Sequence, residues 1–330
     1  MIAMLFDGPG PLRLADVPVP APGARELLLE VRACGVCRTD LHIVDGELPA
    51  RLHPLIPGHE IVGIVRGRGE SCTRFAPGAR VGVGWLGGSC GACPWCARQR
   101  ENLCERAVFT GLDRHGGYAG FALADERYCF ELPEAYDDVY AAPLLCAGLI
   151  GYRAWVMTGG ARRLGLYGFG AAAHIVAQLA LLAGSEVYAF TRPDDDQSRR
   201  FALSLGACWA GAAGERPPRP LDAAILFAPA GALVPQALAA TDKGGVVVCA
   251  GIHMSDIPAF PYALLWGERI LRSVANLTRA DGEAFFKLVA DGRIATSPVV
   301  FPLAQANLAL ARLRTGAIDG AAVLVPDAGG

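Results

Sequence analysis

Apolar positions along this chain fall into two textures. Up to about residue 148 they come in short runs broken by Gly and Pro, among them Leu27-Leu-Leu-Glu-Val-Arg-Ala33, Ile61-Val-Gly-Ile-Val65 and Tyr118-Ala-Gly-Phe-Ala-Leu-Ala124. Runs of that length and composition predict short strands and an irregular all-β segment. Beyond it, strand-length runs at Arg163–Tyr167, Glu186–Phe190, Ala223–Phe227, Gly245–Cys249 and Leu271–Ala275 alternate with stretches of helical period at Ala171–Ala183, Gln197–Leu205 and Leu233–Ala240. Such alternation predicts a doubly wound α/β layer, a parallel sheet covered on both faces. After Asn276 come a helix around Glu283–Ala290 and a tail with the texture of the first segment. The expected division is therefore a discontinuous β domain, 1–148 with 277–330, and an α/β domain, 149–276. Gly214-Glu-Arg-Pro-Pro-Arg-Pro220 between them in texture reads as a surface loop.

Composition sharpens this picture. A chain of 330 residues can bury two cores. It is 52% hydrophobic and 19% charged, with a mean hydropathy of +0.32; contacts between subunits would absorb the apolar excess. A net charge of -2 without any block of like charge disfavours nucleic acid and anionic membrane surfaces as partners. Asp7 and Pro9 interrupt the N-terminus before a signal-peptide core can form, and no apolar run reaches spanning length. The expected compartment is the cytoplasm. Eleven cysteines there read as metal ligands plus buried thiols. Cys34, Cys72, Cys129, Cys208 and Cys249 are expected to be thiols buried in strands.

The densest chemistry lies at Cys90, Cys93, Cys96 and Cys104, spaced CxxCxxCx7C. Four thiolates so close can close a tetrahedral shell around one zinc ion, leaving no position for water or substrate. An iron–sulfur cluster and a chance group of buried thiols are the alternatives; ferredoxin-type runs bring the fourth cysteine in after three residues, and here the gap is seven. A second, open metal position would need donors elsewhere. Cys37, His59 and Cys146 could supply two thiolates and one imidazole with a fourth position free, although each taken singly also reads as a buried Cys or a surface His. Gly168-Phe-Gly170-Ala-Ala-Ala173 follows a strand and opens a helix, the context of the dinucleotide fingerprint, with Ala173 in place of its third glycine. His174 beside it reads as a helix-packing residue.

With these spaced motifs the chain resembles, over nearly its full length, the zinc-dependent alcohol dehydrogenases of the medium-chain dehydrogenase/reductase superfamily. The resemblance implies a GroES-like catalytic domain, a Rossmann coenzyme domain and a cleft between them. It implies two zinc ions per chain, one structural on Cys90, Cys93, Cys96 and Cys104 and one catalytic on Cys37, His59 and Cys146, with Glu60 close behind the metal. Asp40 would orient His59, Arg38 would reach the coenzyme pyrophosphate, and Thr39 with His42 would form a proton relay. Trp85 falls where relatives line the substrate pocket; Leu48 stands where some carry tryptophan, which implies a wider pocket. The reaction implied is reversible hydride transfer between a primary or secondary alcohol and NAD(P). Relatives pair the sixth strand of the coenzyme sheet across a twofold axis, so a homodimer or homotetramer is expected.

Coenzyme choice can be read from the residues themselves. NAD-preferring units place Asp or Glu at the end of the second strand, about twenty residues past the glycines, to bind the adenosine ribose. Here that strand ends in Thr191-Arg192, where a guanidinium could hold a 2′-phosphate. NADP is the expected coenzyme and NAD the alternative, through Asp194, Asp195 or Asp196 folding back. Two other functions stay open on sequence alone: a zinc-free quinone or enoyl reductase on the same fold, and a non-enzymatic zinc and nucleotide sensor.

Overall fold

The computed structural model describes residues 1–318 and 320–326, which divide into two compact units, one of Met1–Leu149 with the chain from Asn276 onward and one of Ile150–Ala275. The first unit is built on a seven-stranded sheet. Its path runs Pro298–Pro302, Ala321–Val325, Glu26–Val36, Glu60–Arg68, Arg80–Val83 and Cys129–Glu131, with Phe121–Asp125 pairing off the long strand Glu26–Val36. Inward positions of that strand alternate, Leu27, Leu29 and Val31 being buried and the residues between them less so, as a half-buried pleat requires. The core beneath gathers Met4, Phe6, Leu55, Ile61, Tyr118 and Leu324. The segment from Gly116 to Gly120 is irregular; the strand expected from Tyr118 starts only at Phe121. A Cβ at Gly116 would lie 2.0 Å from the Gly58 carbonyl oxygen, so close backbone contact replaces pairing there.

The second unit carries six parallel strands in the order Trp209–Ala212, Glu186–Thr191, Arg163–Tyr167, Leu221–Leu226, Thr241–Cys249 and Ile270–Ser273. Numbered along the chain that order is 3-2-1-4-5-6, the Rossmann arrangement. Successive residues of each strand feed opposite faces. Leu164, Leu166, Val187, Ala189 and Ile225 pack on one side with Val176 and Ala180 of the helix Ala171–Leu182. Tyr167, Tyr188, Phe190, Ala224 and Leu226 pack on the other with Val234 and Leu238 of the helix Leu233–Ala240.

Some boundaries differ from the pattern in the sequence. The short strand Trp209–Ala212 carries too few apolar residues to stand out, and the edge strand is Ile270–Ser273 rather than Leu271–Ala275. The helix expected around Glu283 begins earlier, at Arg279, because Thr278 and Asp281 form a reciprocal cap. Two of the five unassigned cysteines are not in strands: Cys72 is buried in a turn, and Cys208 is exposed. Each donates its thiol to backbone carbonyls, Cys72 to Glu26 and Cys208 to Val187, so a loop thiol finds partners without a strand around it. Among the described residues no single helix is long and apolar enough to cross a membrane.

Candidate active site

The strand Glu26–Val36 delivers Cys37 directly to the N-terminus of the helix Arg38–Val44. Cys37 is that helix's cap: its sulfur accepts the Thr39 backbone N–H at 3.3 Å, and its own N–H donates to the Asp40 carboxylate at 2.9 Å. A thiol in this place meets the positive end of the helix, which favours thiolate. His59 directly precedes the adjacent strand Glu60–Arg68, His59 and Glu60 are both buried, and Cys146 stands ahead of the helix Ala147–Val156. Ligand atoms of Cys37, His59, Glu60 and Cys146 all lie within 4.8 Å of one another. The Cys37 sulfur is 3.1 Å from His59 Nε2 and 3.9 Å from the Cys146 sulfur.

Those separations suit one zinc ion. Tetrahedral zinc with Zn–S of about 2.3 Å and Zn–N of about 2.1 Å needs S···S of about 3.8 Å and S···N of about 3.6 Å, so the thiols already fit and the imidazole needs a small outward shift. Charge points the same way. Asp40, Glu60, Cys37 and Cys146 crowd four acidic groups around one imidazole, a set that a divalent cation would neutralise. The Cys146 thiol hydrogen bond, with the nearby imidazole, holds Cys37 well below the ordinary thiol range against the opposing effect of burial. Cys146, as donor of that bond and buried, is pushed well up. Burial, then the Cys37 thiolate, raises Glu60 well above the usual carboxylate range. Room for the Glu60 carboxylate exists because residue 35 is glycine; a Cβ there would stand 1.8 Å from Glu60 Oε2.

Around this ring the sequence candidates are placed as follows. Asp40 faces Nδ1 of His59, and the Thr39 side chain adjoins the Cys37 sulfur, to which its backbone N–H donates. Trp85 is buried edge-on to His59 with ring centroids 4.9 Å apart, while Leu48 is half-buried against the core of the same unit. Arg38 is exposed at the helix start. His42 lies in the last turn of that helix with Nδ1 held by the Glu47 carboxylate. Glu47 and Phe109, whose ring stacks on Trp85 at 5.1 Å, were not among the candidates; a lone acid and a lone aromatic carry no signal in sequence.

The second donor group is Cys90, Cys93, Cys96 and Cys104, again within 4.8 Å of one another. Pro94 opens a one-turn helix after Cys93, which turns the Cys96 sulfur back to 3.5 Å from Cys93 and 3.9 Å from Cys90. Backbone N–H groups of Ala92 and Cys93 lower the Cys90 thiol to about 5, whereas burial pushes Cys104 up to about 11. Four sulfurs with no other donor leave no place for a substrate.

In the six-stranded unit, Gly168 ends the first strand with φ +85, and a Cβ there would meet the Ala228 backbone nitrogen at 2.9 Å. Gly170 caps the following helix, and a Cβ on it would meet nothing within 4 Å, so open space faces the helix N-terminus. That is the room a pyrophosphate needs. Ala173 is wholly buried against the sheet, where a small side chain allows close helix–strand packing. His174 is buried beside Phe201, with ring centroids 5.8 Å apart. Thr191 is buried at the end of the second strand and the Arg192 side chain is 82% exposed.

A GroES-like sheet carrying a thiolate–imidazole metal ring, in one chain with a Rossmann sheet, defines a medium-chain dehydrogenase/reductase architecture. Residues 23–134 match the alcohol dehydrogenase GroES-like domain. The chain is 49% identical over 326 residues to the probable alcohol dehydrogenase AdhA of Mycobacterium tuberculosis (strain CDC 1551 / Oshkosh), covering 96% of this chain and 93% of that one. A thermostable alcohol dehydrogenase from Pyrobaculum aerophilum, solved with cobalt and zinc bound, superposes with TM-score 0.90 at 27% identity, covering 99% of each chain. A candidate zinc-binding dehydrogenase from Sinorhizobium meliloti 1021, bound to NADP, gives TM-score 0.88 at 28% identity, covering 98% of this chain and 99% of that one. This chain belongs to the alcohol dehydrogenase family, a class of oxidoreductases.

Proposed function

We propose that this protein is a zinc-dependent alcohol dehydrogenase that interconverts an alcohol and its aldehyde or ketone with NADP(H). The observation that carries the reading is the ring of Cys37, His59, Glu60 and Cys146 within 4.8 Å, with the Thr39 backbone N–H bonded to the Cys37 sulfur. Cys37, His59 and Cys146 would hold the catalytic zinc, with Glu60 ready to enter its shell during exchange; Cys90, Cys93, Cys96 and Cys104 would hold the structural one. Zinc held in the first ring would supply a Lewis acid for the substrate oxygen, and a bound nicotinamide would supply the hydride acceptor or donor.

The remaining work falls to side chains of this chain. Asp40 fixes the His59 tautomer by taking its Nδ1–H, which keeps Nε2 for the metal. Thr39 takes up the substrate hydroxyl proton as its own hydroxyl proton leaves toward His42, which releases a proton to solvent. Glu47, by holding Nδ1 of His42, orients the ring. Trp85 and Leu48 line the substrate pocket, and Arg38 reaches the coenzyme pyrophosphate. Residues 1–148 with 277–330 form the catalytic domain and 149–276 the coenzyme domain. Eleven free cysteines, several of them donors, support a cytoplasmic home. The edge strand Ile270–Ser273, with Ile270 exposed, supports pairing with a second copy in a dimer or tetramer.

Metal analysis combined with a spectrophotometric screen of alcohols and aldehydes against both coenzymes tests the whole reading. Two zinc ions per chain and turnover with NADP(H) are expected. A zinc-free protein would favour the quinone or enoyl reductase, and a zinc protein without turnover would favour the sensor.

A further inference from the structure

We infer that Arg199 is a positioning residue for coenzyme selection: it buckles the turn Thr191–Pro193 so that Arg192 is presented to a phosphate on the adenosine 2′ oxygen. The inference rests on the NADP reading above. Arg199 lies in the first turn of the helix Asp196–Ser204, immediately after that turn. Its Nε donates to the Thr191 hydroxyl at 3.1 Å. One terminal nitrogen donates to the carbonyls of Arg192, at 3.0 Å, and Pro193, and the other to the Asp196 carboxylate at 3.1 Å. Four of the five guanidinium donors are thereby used within this chain.

Three effects follow, all of which favour a phosphate over a ribose hydroxyl. The Arg192 and Pro193 carbonyls are turned toward Arg199, so their negative ends do not face an incoming anion. Two of the three acids that could bind a 2′-hydroxyl are engaged: Asp196 pairs with Arg199, and Asp195 caps the helix by accepting the Ser198 N–H at 3.0 Å, which leaves the exposed Asp194 as the one competitor. Meanwhile the exposed Arg192 guanidinium has only a loose contact, 3.8 Å to Asp195, and keeps its fork for two parallel bonds to phosphate. Arg199 itself, with four of its five donors engaged, acts through the turn rather than on the ligand.

Calorimetric titration of the zinc-loaded protein with adenosine 2′,5′-bisphosphate and with AMP tests this without turnover. The native protein should bind the bisphosphate at least about tenfold more tightly, the gain expected of a charge-assisted bidentate contact. Arg199→Met should bring the ratio close to one while AMP affinity stays within about threefold of native. Arg199→Lys keeps the charge but not the fork, and it should lose most of the ratio as well. Equal affinities in the native protein would overturn both this inference and the NADP reading. A native preference that survives Arg199→Met, or is fully kept by Arg199→Lys, overturns the inference alone. A parallel collapse of AMP affinity would also overturn it, since Arg199 would then merely hold the fold.

Discussion

The Asp40 carboxylate lies 3.4 Å from Nδ1 of His59, and neither side chain is exposed to solvent. The same carboxylate caps the helix Arg38–Val44 through the Cys37 N–H, so one buried acid faces the imidazole and also fixes the backbone that delivers the Cys37 sulfur. Asp40→Asn keeps an acceptor and the volume but removes the charge. Zinc affinity at this ring should fall by roughly 10–100-fold. Equilibrium competition with a chromophoric chelator measures it, and native affinity in the variant would contradict the role.

The two donor groups should fail differently. Cys146→Ala opens the ring beside Thr39 and should abolish turnover with little loss of thermal stability, because the four-cysteine lobe and both cores are intact. Cys104→Ala should lower the melting temperature and promote aggregation, since the free energy of structural zinc binding is folding free energy. Chelator stripping of the native protein should reproduce the second effect. Metal content read beside calorimetry separates the cases; a Cys104→Ala protein with native melting and two zinc ions would refute the structural assignment.

Thr39→Val removes the hydroxyl of a residue beside the Cys37 sulfur while keeping its shape. Alcohol oxidation should slow by about a hundredfold or more, the range of lost acid–base catalysis, at unchanged zinc content. Near-native rates would mean that the proton leaves by another route.

Acid sensitivity should have a local source in Glu101. Burial pushes this carboxyl up, but the Arg279 N–H at 2.9 Å and guanidinium at 3.0 Å outweigh it and hold the group below its ordinary 4.5. A carboxyl lowered by folding stabilises the native state above its unfolded value, and that contribution disappears as pH falls through the native value. Glu101→Gln should therefore cost about 1.5–3 kcal/mol at pH 7. The gap in melting temperature between variant and native protein should close below pH 4.5. A gap constant with pH would place the effect in packing instead.

Legibility in the sequence followed the range of the interaction. Cys90, Cys93, Cys96 and Cys104 sit within one loop, so spacing alone brings their sulfurs together. The parallel sheet was equally readable from alternating runs such as Arg163–Tyr167 and Leu233–Ala240, although the weakly apolar Trp209–Ala212 escaped notice. Cys37 and Cys146 are 109 positions apart, so donor chemistry could only offer them with His59 as one possible set, and the resemblance was needed to single it out. Glu47, Phe109 and Arg199 escaped entirely. Each matters through one partner placed by the fold, and an isolated Glu, Phe or Arg has no periodicity or spacing to mark it.

The chain's order of synthesis gives the discontinuous sheet a temporal meaning. Residues 150–275 form their own unit and are complete before the ribosome reaches Asn276, so the nucleotide fold can mature first. The strand that carries Cys37 waits longer. Its last residues, Cys34, Gly35 and Val36, pair with Leu324, Val323 and Ala322, leaving the Cys37 ring without its flanking strand until those late residues have been made. A fragment ending at Thr315 should thus keep residues 150–275 resistant to protease while the backbone around Cys37 is cut, and equal protection of both would show that the late strand is dispensable.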